Sequence, residues 1–138
     1  MAPLEFRFYY FTPLYERTVA FYRDVLSFEV YHSWDRSAAE RGTIFRSPSG
    51  AGFIEVEAGD GPAALSGGLY IEVPDVRGRY EEAQRRGAPI VQELGEAPYG
   101  HLNFKTIDPS GLEVAFFQYL SRPPHAIPQP DAPGSPRD

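Results

Sequence analysis

Of the groups that could move a proton or hold an ion near neutral pH, this chain has three histidines, nineteen carboxylates and no cysteine. His32, His101 and His125 share no ligand spacing, so there is no histidine-based metal motif, and thiolate chemistry and disulfides are excluded. His101 stands apart from the other two. It alternates with Asn103 and Lys105 opposite Leu102 and Phe104, which is the period of a strand with one polar and one apolar face. With the apolar pair against a helix, the polar residues face the other way, toward any pocket the sheet encloses. Glu55 and Glu72 lie in similar alternating stretches. With His101 they are the candidates for proton transfer, and Arg7 is placed to steady an anion.

The same alternation gathers aromatic rings beside these groups. If Phe8 and Tyr10 are directed at a helix, Arg7, Tyr9 and Phe11 face inward; if Ile54 and Val56 are directed outward, Phe53, Glu55 and Glu57 face inward. Tyr70 and Glu72 join them from a third stretch, and Glu113, Ala115, Phe117 and Tyr119 from a fourth. Trp34, in a segment from Ser33 to Gly42 read as flexible, would cover the rim. A pocket lined by Arg7, Tyr9, Phe11, Trp34, Phe53, Glu55, Tyr70, His101, Asn103 and Phe117 suits a flat, partly apolar ligand held by ring contacts and a few polar groups.

What must position these residues is a duplicated unit. Pro13 recurs as Pro74, and Pro48-Ser49-Gly50 as Pro109-Ser110-Gly111, each 61 positions on. One copy runs from about Leu4 to Glu57 and the other from about Gly67 to Leu120. In the first, an aromatic-rich strand over Leu4 to Phe11 leads through Thr12 as cap and Pro13 into a helix reaching about Leu26. Short strands follow at Phe28 to Ser33, Thr43 to Ser47 and Gly52 to Glu57. In the second, Leu69 to Val73 is a strand, Asp75 caps a helix ending at Gly87, and strands follow at Pro89 to Leu94, Leu102 to Ile107 and Glu113 to Tyr119. The pattern is βαβββ twice, an α+β domain over residues 1–120, with an extended proline-rich tail over 121–138.

Composition narrows the partners. At 138 residues with 42% apolar content the chain buries one core, not two. The net charge of −6, with Lys105 the only lysine, argues against a nucleic-acid partner. No apolar run is long enough to cross a bilayer and the first residues lack a signal core, so the expectation is a cytoplasmic protein without a membrane partner.

Three landmarks carry a family resemblance: Phe21-Tyr22-Arg23-Asp24-Val25-Leu26-Ser27-Phe28-Glu29-Val30, Leu69-Tyr70-Ile71-Glu72-Val73-Pro74-Asp75-Val76, and Asp108-Pro109-Ser110-Gly111 before an apolar strand. Together they resemble the vicinal oxygen chelate superfamily, which includes glyoxalase I, the bleomycin-resistance proteins and the extradiol dioxygenases. The resemblance implies that the two modules curl into a cup, within a homodimer. It also implies where metal ligands would stand in metal-dependent members, and those positions hold Arg7, Gly68, Glu55 and Ala115, which is one carboxylate where about three protein ligands are needed. The expectation is therefore no metal and no cofactor, and a binding protein that sequesters an aromatic natural product or antibiotic, as resistance-type members do. The alternatives are a metal-free enzyme or accessory protein of small-molecule biosynthesis, and a metal-dependent lyase or dioxygenase with displaced ligands.

Overall fold

A computed structural model describes residues 5–61 and 65–126. The first half runs β1 (Arg7–Thr12), α1 (Tyr15–Ala20) continuing into a π-helical turn (Phe21–Val25), β2 (Glu29–Ser37), β3 (Glu40–Arg46) and β4 (Phe53–Ala58). The second runs β5 (Gly68–Glu72), α2 (Val76–Arg85), β6 (Ile90–Glu96), β7 (His101–Ile107) and β8 (Glu113–Tyr119). Each half builds a four-stranded sheet, ordered β1-β4-β3-β2 and β5-β8-β7-β6, with the first strand parallel to the last and the other pairs antiparallel. The α+β arrangement of two βαβββ modules is thus present. Among the described residues no strand pairing joins the two sheets, so the expected cup is two separate walls and not one continuous sheet.

Local chemistry explains the helix ends. The Asp75 carboxylate accepts the Gly78 N–H at 3.0 Å and opens α2, and Gly87, at φ 82°, closes it in the left-handed region that a side chain resists. In the first module Thr12 is not the cap. It stays in β1, paired with Ala58, and its hydroxyl is 2.6 Å from that of Ser110 while accepting the Leu14 N–H, so α1 starts only at Tyr15.

Both modules share one core on the helix side of the sheets. Tyr22, Phe45 and Val56 from the first half and Val76, Phe104, Val114 and Phe116 from the second are all but inaccessible to solvent, and Phe28 meets Phe116 edge-on across the divide. At its centre the buried Asp108 carboxylate accepts four hydrogen bonds: from the Tyr10 and Tyr22 hydroxyls, both at 2.8 Å, and from the Ser110 and Leu112 N–H groups at 2.8 and 3.0 Å. The duplication does not repeat this knot. Sixty-one positions earlier stands Ser47, and the positions matching Tyr10 and Tyr22 hold Ile71 and Ala83. On that side lies a cavity of about 700 Å³ walled by Phe8, Ile54, Leu69 and Ile71.

The chain leaves β8 with Arg122 2.5 Å from the Glu72 carboxylate and over the Tyr119 ring. Residues 127–138, most of the proline-rich tail, lie outside the described residues. No described helix is long and apolar enough to cross a membrane.

Candidate functional site

The faces turned away from the shared core carry the candidate residues. On the second sheet, the pairing of β5 with β8 and β8 with β7 brings Tyr70, Phe117 and His101 side by side. Phe117 lies nearly parallel to both neighbours, with ring centroids 4.5 Å from Tyr70 and 4.5 Å from His101. Tyr99 and Tyr119 meet the His101 ring edge-on at 4.8 and 4.7 Å. A directed hydrogen-bond chain runs beneath the rings. The Gln92 amide donates to Asn103 Oδ1 at 2.8 Å, the Asn103 amide donates to the Tyr70 hydroxyl at 3.0 Å, and that hydroxyl is 2.7 Å from His101 Nδ1. The Tyr70 oxygen accepts from Asn103, and a proton directed from Tyr70 at Nδ1 requires a neutral imidazole. Burial acts in the same sense, lowering the His101 pKa against the pull of Glu72, and raises that of Tyr70 to about 12. Lys105, on the same face, is 3.8 Å from Glu113.

On the first sheet the register aligns Tyr9 with Glu55 and Ile44, and Phe11 with Glu57 and Gly42. Arg7 bridges two carboxylates, Glu5 and Glu55, each at 2.6 Å, and the first of these raises its already high pKa most. Among the described residues Glu57 has no such ion pair. Burial, followed by a hydrogen bond with Glu55, raises its pKa to about 7. Trp34 corrects the sequence reading. It is not on a flexible rim segment but within β2, opposite Gly42 of β3, and its indole lies flat on that glycine: a Cβ there would sit 2.1 Å from the ring. The absent side chain is what lets the ring settle onto the sheet.

A divalent metal does not fit these residues. The register pairs Tyr9 with Glu55 and Tyr70 with Ala115, so Glu55 and Ala115 are equivalent positions of the two copies, as are Arg7 and Gly68. Gly68 and Ala115 have no donor atom, Arg7 brings a cation bonded to the one carboxylate, and among the described residues no group of three His, Cys, Asp or Glu converges.

The sequence matches the model of the Glyoxalase/Bleomycin resistance protein/Dioxygenase superfamily over residues 7–116. The chain belongs to that superfamily. Solved structures agree on the fold of this superfamily member. TioX from Micromonospora sp. ML1 superposes with a TM-score of 0.71 at 20% identity, over 86% of this chain and all of the other. TnmS3, an antibiotic binding protein from Streptomyces sp. CB03234, gives 0.67 at 20% identity, over 86% and 97% of the two chains. A lactoylglutathione lyase from Agrobacterium tumefaciens gives 0.63 at 14% identity, over 86% and 94%. No curated protein matches the sequence.

The candidate residues come from two sheets, and the cavity of about 700 Å³ brings Phe53 of the first together with Tyr70, Glu72 and Phe117 of the second. Arg7, Tyr9, Phe11, Trp34, Phe53 and Glu55 lie on the first sheet; Tyr70, Glu72, His101, Asn103 and Phe117 lie on the second. Two further contributors, Gln92 and Tyr99, are absent from the sequence reading. Gln92 sits beside a register irregularity in β6, and Tyr99 in the turn before β7, so alternation could reach neither.

Proposed function

We propose that this superfamily member is a metal-free binding protein that sequesters a flat aromatic small molecule of the natural-product or antibiotic kind. One observation carries the reading: Tyr70, 44% exposed and lining the cavity of about 700 Å³, is backed by the near-parallel rings of the buried Phe117 and of His101, and the polar edges of the cluster are already engaged with one another, leaving the Tyr70 ring as the main thing on offer to a ligand. The antibiotic binding of TnmS3, which has the same fold, is consistent with it. Exposed aromatics also support a homodimer. Tyr9 is 63% and Tyr70 44% exposed, and each sheet ends in an open edge strand, β1 or β5, so a second copy facing these walls would close a pocket on both.

The test is calorimetric titration with a panel of planar polycyclic antibiotics, followed by mass analysis of what is bound. A saturable complex that returns its ligand unchanged, weakened at least about tenfold by Tyr70→Ala without unfolding, supports sequestration. Steady conversion of the ligand would make the protein an enzyme, with His101, Glu55 or Glu72 as proton carrier. Absence of binding across the panel would reject the aromatic reading.

A further inference from the structure

The first sheet holds a cavity of about 520 Å³ lined by Arg7, Tyr31, His32, Trp34 and Glu57, among others. Its charges are unevenly matched. Arg7 is claimed by Glu5 and Glu55, His32 is the only histidine on this wall, and Arg36 lines the cavity from the far end of β2, with no carboxylate of the described cavity residues in ion-pair range. Glu57 is left as a carboxyl without an ion-pair partner among the described residues, half-buried, with its burial opposing ionisation. Its cross-strand neighbour on β3 is Gly42, and the indole that occupies the space over that glycine lines the same cavity as Glu57. A carboxylate beside an electron-rich indole is the chemistry that holds an alkylammonium, because ring face and carboxylate both attract the cation and its methyl or methylene groups bury apolar area.

We infer that this wall is an amine subsite, in which Glu57 and Trp34 receive a protonated or quaternary ammonium carried by the aromatic ligand. The inference rests on the aromatic-ligand reading above and adds the charge of the ligand. The chain's net charge of −6 draws cations toward it in general, whereas the Trp34–Gly42–Glu57 arrangement selects where one lodges.

The experiment uses one ring with three heads: 1-naphthylmethyl-trimethylammonium, 1-naphthalenemethanol and 1-naphthoate, titrated by calorimetry and by the fluorescence of Trp34, the only tryptophan. We expect the ammonium to bind about tenfold or more tightly than the alcohol, to shift Trp34 emission, and to release a fraction of a proton at neutral pH, read as a dependence of the heat on buffer. Glu57→Gln should bring ammonium and alcohol within about twofold while leaving the alcohol unchanged. Gly42→Val, which drives the indole off the sheet, should abolish the preference and the emission shift; circular dichroism of both variants checks that they fold. Equal binding of ammonium and alcohol overturns the amine subsite and leaves the aromatic reading standing. Tightest binding of the naphthoate overturns it in favour of Arg7 or Arg36. If none of the three binds, the amine subsite fails, and only failure of the polycyclic panel as well removes the aromatic reading.

Discussion

Replacing Asp108 with alanine strips four donors of their acceptor at once. Two are tyrosine hydroxyls reaching across from the first module and two are backbone N–H groups of its own turn, and the residue is 3% exposed. A buried donor left unpaired costs about 1–3 kcal/mol, and some relief comes from water entering the space of the lost side chain, so the four together cost about 4–6 kcal/mol. That is a large share of the roughly 5–15 kcal/mol by which domains are stable. The assay is urea unfolding followed by circular dichroism, with the parent slope m retained. The decisive comparison is a double-mutant cycle with Tyr22→Phe. In the parent this change removes a hydrogen bond to a carboxylate and costs about 1.5–3 kcal/mol; in the Asp108→Ala background it removes a stranded hydroxyl and is neutral or stabilising. Should Asp108→Ala not fold, Asp108→Asn, which keeps an acceptor for the two N–H groups, gives the same cycle at about 2 kcal/mol. A cost under about 1 kcal/mol, or an equal Tyr22→Phe effect in both backgrounds, would refute the role given to this carboxylate.

Other outcomes rest on the same geometry. Glu57 has a folded pKa of about 7, above its ordinary 4.5, so the folded state holds that proton more tightly: the stabilisation is full below about 4.5 and is lost as pH rises through 7. Glu57→Gln should flatten stability between those limits and be the more stable protein above pH 7, by about 1–2 kcal/mol once solvent screening is allowed for; a parent-like slope in urea midpoints would count against it. Ser27, at φ 60°, occupies the left-handed region, and Ser27→Gly should raise stability by about 0.5–1 kcal/mol even though it removes the exposed hydrogen bond from Arg86; a lower melting temperature would contradict this. Zinc, nickel and iron titrated into dialysed protein should show no stoichiometric saturable binding, whereas one equivalent lost on Glu55→Ala would reverse the donor-set argument.

Much of the fold was legible because alternation and helical spacing report burial directly. The run from Arg7 to Thr12 separates Tyr10 and Thr12, which pack into the core, from Arg7, Tyr9 and Phe11, which do not, whereas burial fails to alternate in β8, where Val114 to Phe117 are all buried, and in β7, where Asn103 is buried beside Phe104. The hairpin of β2 and β3 was harder to read, since β2 is exposed along nearly its whole length and gives no apolar period, so Trp34 seemed to sit on a loop. The start of α1 was misplaced for another reason: Thr12 can cap a helix or bond Ser110, and only the second module, 98 residues away, decides between them. Asp108 is conspicuous only when the copies are laid over each other and serine is found in its place. Glu57 could be assigned a face from alternation, but its missing counter-ion depends on how Glu5 and Glu55 share Arg7.

The π-helical turn at Phe21–Val25 measures how far the two copies have drifted. Fourteen positions separate Pro13 from the left-handed Ser27, but only thirteen separate Pro74 from the left-handed Gly87, which occupies the same place after α2. The first helix therefore accommodates one more residue between equivalent ends, and a single wide turn takes up an added residue without displacing the strands beyond it. That turn also sets the rotation that aims Tyr22 at Asp108, so the extra residue and the tyrosine–carboxylate bond form one linked feature of the first module. Deleting Arg23 or Asp24 would turn the segment back into regular helix and swing Phe21 and Tyr22 by about 100° relative to Leu26, taking the phenol away from its acceptor. Removing the added residue and removing the Asp108 carboxylate should therefore cost the protein the same Tyr22 hydrogen bond.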